Sequence, residues 1–215
     1  MGALKDKIDL YNAAKQENVP ADILAAMAQA TEELKRSGIE ERALRTGDVM
    51  PDFELPNQHG ERRRLSDYLA KSSVVLNIYR GGWCPYCNME MKALHDVLPD
   101  IESRGARLVA MAPEKPDKAM STAELHDIDI DILSDAGNQV AEQLGLVFEL
   151  PEVLRPIYEQ FGTDLEAYNG DDSFKLPVPA TYIVGQDGTI LHDFVNADYT
   201  QRLEPSEIVA ELDAR

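Results

Sequence analysis

The only two cysteines of this chain of 215 residues, Cys84 and Cys87, are separated by Pro85 and Tyr86. A pair at this spacing exchanges electrons, contributes two ligands to a metal or forms a structural crosslink. A zinc site needs about four ligands, and no histidine has ligand spacing relative to the pair. The histidines are His59, His95, His126 and His192. A structural disulfide here would close a small loop and constrain little. Redox chemistry is therefore the favoured interpretation, and the sequence predicts no metal and no cofactor.

Two predicted elements position the pair. The apolar, β-branched run 73–79 has the length and composition of a buried central strand, and a predicted helix begins at the cysteines. At the start of a helix, free N–H groups and the helix dipole stabilise a thiolate at Cys84. Pro85 suits the first helical turn, where no N–H is required. Cys87 follows one turn later, so we expect Cys84 to attack and Cys87 to resolve the mixed disulfide.

The remaining pattern predicts an α/β fold. Apolar residues at helical spacing occupy 3–45, with a break at Val19-Pro20. Strands are predicted at 53–55, 107–111 and 128–133, a hairpin with an Asp-Gly turn at 181–191, and a final helix at 205–213. These elements indicate a mixed sheet with helices on both faces. The predicted division is a helical N-terminal extension, 1–45, and a redox domain, 46–215. Narrow apolar stripes predict that the extension packs on the domain or in a homodimer.

Composition excludes several classes of function. The net charge of −18 argues against nucleic acid and anionic membrane surfaces, both of which require a basic face. No apolar run approaches the roughly 20 residues that span a bilayer. The first residues are charged and lack the apolar segment of a secretory signal. With two clustered cysteines, these features predict a cytoplasmic protein.

Residues 83–87 resemble the Trp-Cys-x-x-Cys motif of thioredoxins, and their Pro-Tyr dipeptide resembles that of glutaredoxin. The wider chain resembles the alkyl hydroperoxide reductase and thiol-specific antioxidant family, the peroxiredoxin-like redoxins. The matching segments are 47–55, the turn through Gly60, 66–69, the Cys84 region, 132–135 and 179–184. The resemblance implies a thioredoxin-like fold and the reduction of hydroperoxides, with a thioredoxin-like or glutathione-type thiol as electron donor.

Several positions depart from the family pattern. Peroxiredoxins place Pro seven residues and Thr or Ser three residues before the reactive cysteine, where this chain has Asn77 and Gly81. They also bring an Arg to the segment before the strand near Thr181, and 176–180 contains none. Thioredoxins keep a buried acid at the place of Ile78. Two alternatives therefore stay open beside a modest peroxidase: a reductase of protein or small-molecule disulfides, and a non-catalytic redox sensor that binds a partner.

Three residues near the cysteines in sequence, and one distant proline, are candidates for supporting roles. Trp83 either covers the disulfide and meets a partner or fills the core. Arg80 either stabilises a thiolate or oxyanion or is a solvated residue at the strand end. Tyr86 either donates a hydrogen bond to substrate or is an exposed residue without a role. The resemblance to thioredoxins further predicts that Pro179 follows a cis peptide bond and lies opposite the cysteines.

Overall fold

The computed structural model describes residues 3–127 and 129–214, without the side chains of residues 125 and 126. The helices are α1 (Leu4–Asn18), α2 (Ala21–Arg36), α3 (Ile39–Arg42), α4 (Leu65–Leu69), α5 (Pro85–Asp96), α6 (Leu98–Ser103), α7 (Pro116–His126), α8 (Gln139–Gln143), α9 (Arg155–Gln160), α10 (Leu165–Asn169) and α11 (Pro205–Asp213). The strands are β1 (Glu54–Pro56), β2 (Arg62–Arg64), β3 (Ser73–Ile78), β4 (Ala106–Ala112), β5 (Asp131–Ser134), β6 (Val147–Glu149), β7 (Lys175–Pro177), β8 (Ala180–Val184) and β9 (Ile190–Val195).

Five strands form the central sheet, in the order β5-β4-β3-β8-β9. β3, β4 and β5 are parallel, whereas β8 and β9 run antiparallel to their neighbours. The β8–β9 hairpin turns at Asp187-Gly188, where a positive φ of 84° at Gly188 suits glycine. The prediction of a mixed α/β sheet is confirmed, and its middle strand leads into the cysteines.

Both faces of the sheet are covered, as the side-chain alternation along β3 shows. Val74, Leu76 and Ile78 join one buried cluster with residues of α3, α4 and α8. Val75 points to the other face and joins a cluster with Leu94 of α5 and residues of α6 and α11. A strand buried on both faces reads as a continuous apolar run, which is why the sequence identified β3 so clearly.

The N-terminal helices pack on the domain, one of the two arrangements expected. Leu4 and Ile8 of α1 lie in the same buried cluster as Cys84 and Cys87. The break at Val19-Pro20 separates α1 from α2 as predicted. The amino end of α1 is fixed by Glu204, whose carboxylate accepts from the backbone N–H groups of Leu4 and Lys5 at 3.2 and 2.6 Å. The first helix therefore lies directly over the redox site.

The sequence predicted β5 with a different start and missed several elements. β5 begins at Asp131, whereas the predicted strand began at Ile128, which lies outside the described residues. Asp127, which follows α7, has a positive φ of 51°. The hairpin β6–β7 and helices α7, α9 and α10 were not predicted. No described helix combines the length and apolar composition that crossing a membrane requires.

Candidate active site

Cys84 caps the amino end of α5. Its backbone is extended, with φ −90° and ψ 111°, and its carbonyl accepts from the N–H of Asn88 at 3.1 Å. Pro85 occupies the first turn, as predicted. Cys84 and Cys87 are free thiols, 1% and 0% exposed. The strand-to-helix junction thus places both sulfurs where the helix dipole and nearby cations act in a water-poor setting.

The two thiols have opposite pKa shifts. Burial raises the pKa of Cys84, but a hydrogen bond from Cys87 and the positive charges of Arg80 and Arg202 outweigh it and bring the pKa to about 6. Burial and the hydrogen bond to Cys84 raise the pKa of Cys87 well above its usual value. Cys84 is therefore the thiolate at neutral pH and Cys87 keeps its proton, which is the order of acidities the sequence predicts.

Alkylation of the reduced protein should report this difference directly. Because only the thiolate reacts, the rate of iodoacetamide labelling at Cys84 is expected to rise with pH and reach half its maximum near pH 6. In the Cys84→Ser variant, Cys87 should label only at much higher pH. Peptide mass spectrometry assigns the label. Equal labelling of both cysteines around the pKa of free cysteine, about 8.5, would contradict the assignment.

Arg80 is buried, which excludes the solvated position that was one of its two interpretations. Its side chain is 2% exposed, and its guanidinium carbon lies 4.8, 5.6 and 4.5 Å from the ring centroids of Trp83, Tyr158 and Tyr199. One Nη group donates to the Tyr158 hydroxyl. The Nε–H has no acceptor among the described residues. A buried cation with an unused donor thus lies beside Cys84.

A second buried cation, Arg202, was missed by the sequence analysis. It precedes α11, and its Nη2 donates to Sγ of Cys87 at 3.4 Å. Its Nη1 pairs with Glu90, and the two side chains are 1% and 3% exposed. Its charge lowers the pKa of both cysteines. No sequence signal marks Arg202, because 115 residues separate it from Cys87 and only the packing of the C-terminal segment joins them.

Gly81 replaces the Thr or Ser of the family pattern, and the structure gives the physical reason. Its φ is 140°, a conformation that residues with a side chain rarely adopt. A Cβ at this position would lie 2.4 Å from Nε1 of Trp83. The half-buried Trp83 indole therefore occupies the space of a side chain at position 81. Its Nε1–H has no acceptor in the described part of the chain.

Buried Glu114 holds the loop that precedes Cys84. Its carboxylate accepts from the N–H of Gly82 at 2.9 Å and from the hydroxyl of Tyr79 at 2.5 Å. Burial raises the pKa of Glu114, and these hydrogen bonds oppose the shift. The sequence analysis missed this acid, although a signal exists. Glu114 follows β4, which runs parallel beside β3, so both strands deliver their next residues to the same edge of the sheet.

Tyr86 is buried, and neither of its two interpretations describes what it contacts. Its side chain is 3% exposed, and its hydroxyl donates to Oδ1 of Asn12 in α1 at 2.6 Å. Its ring meets those of Tyr11 and Tyr199 edge-on, at centroid distances of 5.2 and 5.4 Å. Tyr86, one of the two residues between the cysteines, therefore contacts the N-terminal helix and holds it against the site.

The prediction of a cis bond before Pro179 is wrong, since the described residues contain no cis peptide bond. The N–H of Val178 donates to the carbonyl of Leu146 at 2.8 Å. Pro179 lies between β7, which ends at Pro177, and β8, which begins at Ala180. Pro179 lines a cavity of about 110 Å³ with Arg80 and Tyr199, beside the pocket that contains Cys84.

Cys84 lines a pocket of about 350 Å³ together with Arg80, Trp83 and Tyr86. Residues of α1 and α2 complete its wall. No group of His, Cys, Asp and Glu in the described residues has the geometry of a metal site. A CxxC dithiol at a helix start, beside a central mixed sheet and between two buried arginines, has the geometry of a thiol redox site.

The chain belongs to the AhpC/TSA family, whose model matches residues 46–193. It is 31% identical to Peroxiredoxin Bcp of Escherichia coli K12 over 103 residues, which cover 48% of this chain and 65% of that protein. It therefore spans slightly less than two thirds of that relative's length. It is 26% identical to the thiol-disulfide oxidoreductase ResA of Geobacillus kaustophilus over 151 residues, 70% of each chain.

Solved structures resemble the fold. The crystal structure of peroxidoxin BcpB from Mycobacterium tuberculosis superposes with a TM-score of 0.63 and 26% identity, over 80% of this chain and 97% of that one. The family model begins at residue 46, so α1 and α2 lie outside the family core although they line the Cys84 pocket.

Proposed function

We propose that this protein is a thiol-dependent peroxidase in which Cys84 reduces a hydroperoxide and Cys87 resolves the product. The observation that carries the proposal is the surroundings of Cys84. A thiolate with a pKa of about 6 shares a pocket with two buried N–H donors, Nε of Arg80 and Nε1 of Trp83, that have no acceptor in the described part of the chain. Membership of the AhpC/TSA family supports the same chemistry.

The reaction begins with attack of the Cys84 thiolate on the terminal oxygen of the hydroperoxide. The O–O bond breaks, the sulfur becomes a sulfenic acid, and the other oxygen leaves as an alkoxide that takes a proton and departs as an alcohol or water. Because negative charge develops on that oxygen, donors aimed at it lower the barrier. Arg80 and Trp83 are the groups we assign to this role.

Cys87 then attacks the sulfur of the sulfenic acid. The S–O bond breaks, its oxygen leaves as water with the thiol proton, and a Cys84–Cys87 disulfide forms. Two thiols of a donor, thioredoxin-like or glutathione-type, reduce this disulfide and are oxidised in turn. A cytoplasmic location and a homodimer are part of the proposal, and the low cysteine count favours the former.

Disulfide reduction is the competing function. The similarity to ResA favours it, as does the glycine at position 81, where the family pattern has a hydroxyl. A reductase would use the same thiolate to attack a disulfide sulfur, and the N–H donors at Arg80 and Trp83 would then have no developing oxyanion to stabilise. A redox sensor would oxidise once and not turn over.

One assay separates these functions. NADPH oxidation, coupled through thioredoxin reductase and thioredoxin, is measured with hydrogen peroxide and tert-butyl hydroperoxide and compared with insulin and a mixed glutathione disulfide. We expect steady turnover with the hydroperoxides. Rapid reduction of the disulfides, with Cys84 oxidised by peroxide no faster than free cysteine, would replace the proposal by the reductase function. A single oxidation without turnover would indicate the sensor.

Trp83→Phe tests the assigned donor. The variant keeps an aromatic ring and loses the N–H, and losing one such donor typically lowers kcat by about 10²–10³-fold. We expect the rate of Cys84 oxidation by peroxide to fall by at least about tenfold because the second donor, Arg80, remains. Alkylation of Cys84 by iodoacetamide needs no oxyanion donor and serves as the internal control. Equal losses in both rates would show that Trp83 only packs against Cys84.

A further inference from the structure

The wall of the Cys84 pocket has an unusual charge. The chain contains 39 Asp and Glu residues and carries a net charge of −18, yet none of the described acidic residues lines this pocket. The charged side chains that do line it are Lys15 and Arg80. Six of its lining residues are aromatic, among them Tyr11 and Phe161. A cationic and aromatic recess in a strongly acidic protein favours a ligand that is both apolar and anionic.

Lys15 belongs to α1, which contacts hold firmly above the site. Asn12 accepts the hydroxyl hydrogen bond of Tyr86, and the ring of Tyr11 lies edge-on against the ring of Tyr86. Glu204 binds the amino end of the same helix. These contacts position the backbone of Lys15 relative to Cys84, and the helix that carries it lies outside the family core.

The ammonium group of Lys15 keeps donors free. Its Nζ donates to the hydroxyl of Tyr199 at 3.3 Å and lies 5.9 and 5.8 Å from the ring centroids of Tyr86 and Tyr199. Within the described residues, no carboxylate oxygen forms an ion pair with it. An ammonium has three N–H donors, so two remain for a ligand. Burial and the charge of Arg80 lower the pKa of Lys15, while Asp198 and Cys84 act in the opposite direction.

We propose that Lys15 binds the carboxylate of an organic hydroperoxide whose apolar body fills the aromatic pocket over Cys84. The inference rests on the proposed peroxidase function and adds the substrate class. The pocket volume of about 350 Å³ lies within the range of small-molecule sites, roughly 300–1,000 Å³. The carboxylate takes no part in the bond changes. It anchors the substrate while the peroxide group meets the sulfur of Cys84.

A matched pair of substrates isolates the contribution of Lys15. One is cumene hydroperoxide, and the other is the same molecule with a carboxylate in the para position. We expect a higher kcat/KM for the hydroperoxide that carries the carboxylate than for cumene hydroperoxide. Lys15→Met should lower this ratio by about tenfold or more, the effect of losing a charge-assisted hydrogen bond. Lys15→Arg keeps the charge and should retain most of the preference. Lys5→Met removes the same charge from the exposed side of α1 and should leave it unchanged.

Binding without turnover separates this inference from the function on which it rests. Trp83 is the only tryptophan of the chain and lines the pocket, so its fluorescence reports ligands there. We expect 4-isopropylbenzoate to bind more tightly than isopropylbenzene and to lose that advantage in Lys15→Met. Reduction of both hydroperoxides without preference, or a preference that survives Lys15→Met, overturns the inference and leaves the peroxidase intact. Binding through Lys15 with no hydroperoxide reduced overturns the peroxidase and keeps the anionic ligand class.

Discussion

Replacing Cys84 with serine is expected to abolish hydroperoxide reduction, whereas replacing Cys87 stops turnover but leaves the first oxidation intact. The reason is the division of roles between the two sulfurs. Cys84 is the thiolate, with a pKa of about 6, and Cys87 keeps its proton until a sulfenic acid is available to attack. The alcohol of serine is too weak a nucleophile to replace the thiolate without an adjacent base.

The Cys87→Ser variant gives the sharper measurement. One equivalent of hydroperoxide should convert Cys84 to a sulfenic acid that a dimedone-type reagent traps and mass spectrometry detects. In the parent protein the same treatment should give the Cys84–Cys87 disulfide and little trapped product. Cys84→Ser serves as the matched control, with Cys87 left unmodified at neutral pH. A dimedone adduct on Cys87 would reverse the two assigned roles. Full turnover in Cys87→Ser would show that Cys87 is not the resolving thiol.

Removing Arg202 is expected to have the largest effect on stability. Arg202 and Glu90 form an ion pair whose side chains are 1% and 3% exposed, so Arg202→Met leaves a buried carboxylate without its partner. Breaking a buried pair in this way costs about 3–5 kcal/mol. Arg202 also lowers the pKa of Cys84, and its loss should raise that pKa and slow peroxide reduction at neutral pH. Urea denaturation and pH-dependent alkylation measure the two effects.

Three further variants make this result interpretable. The double variant Arg202→Met with Glu90→Gln removes both charges and should recover part of the lost stability, because no uncompensated charge stays buried. If Arg202→Met does not fold, Arg202→Lys replaces it in the experiment. It keeps the positive charge and should leave the pKa of Cys84 closer to its original value. Arg104→Met breaks the exposed pair with Asp213 and should cost at most about 1 kcal/mol. A loss that small at Arg202 would show the pair to be dispensable.

Local patterns determined much of the fold. β3 was identified because a strand buried on both faces is a continuous apolar run, and the β8–β9 hairpin because Asp187-Gly188 permits its turn. The sequence did not predict the short elements β6, β7, α9 and α10. Such elements are stabilised by burial against residues distant in the chain, so their own sequences carry little signal.

The sequence by itself determined that the cysteine pair lies at the start of a helix and which strand leads into it, because both depend on neighbours within a few residues. Only the tertiary structure decided what surrounds the sulfurs. Arg202 and Glu114 reach the site from later segments, Lys15 reaches it from an earlier helix, and the bond before Pro179 is trans. Arg202 and Lys15 come from segments far from the cysteines in sequence, and no local periodicity or motif encodes such contacts.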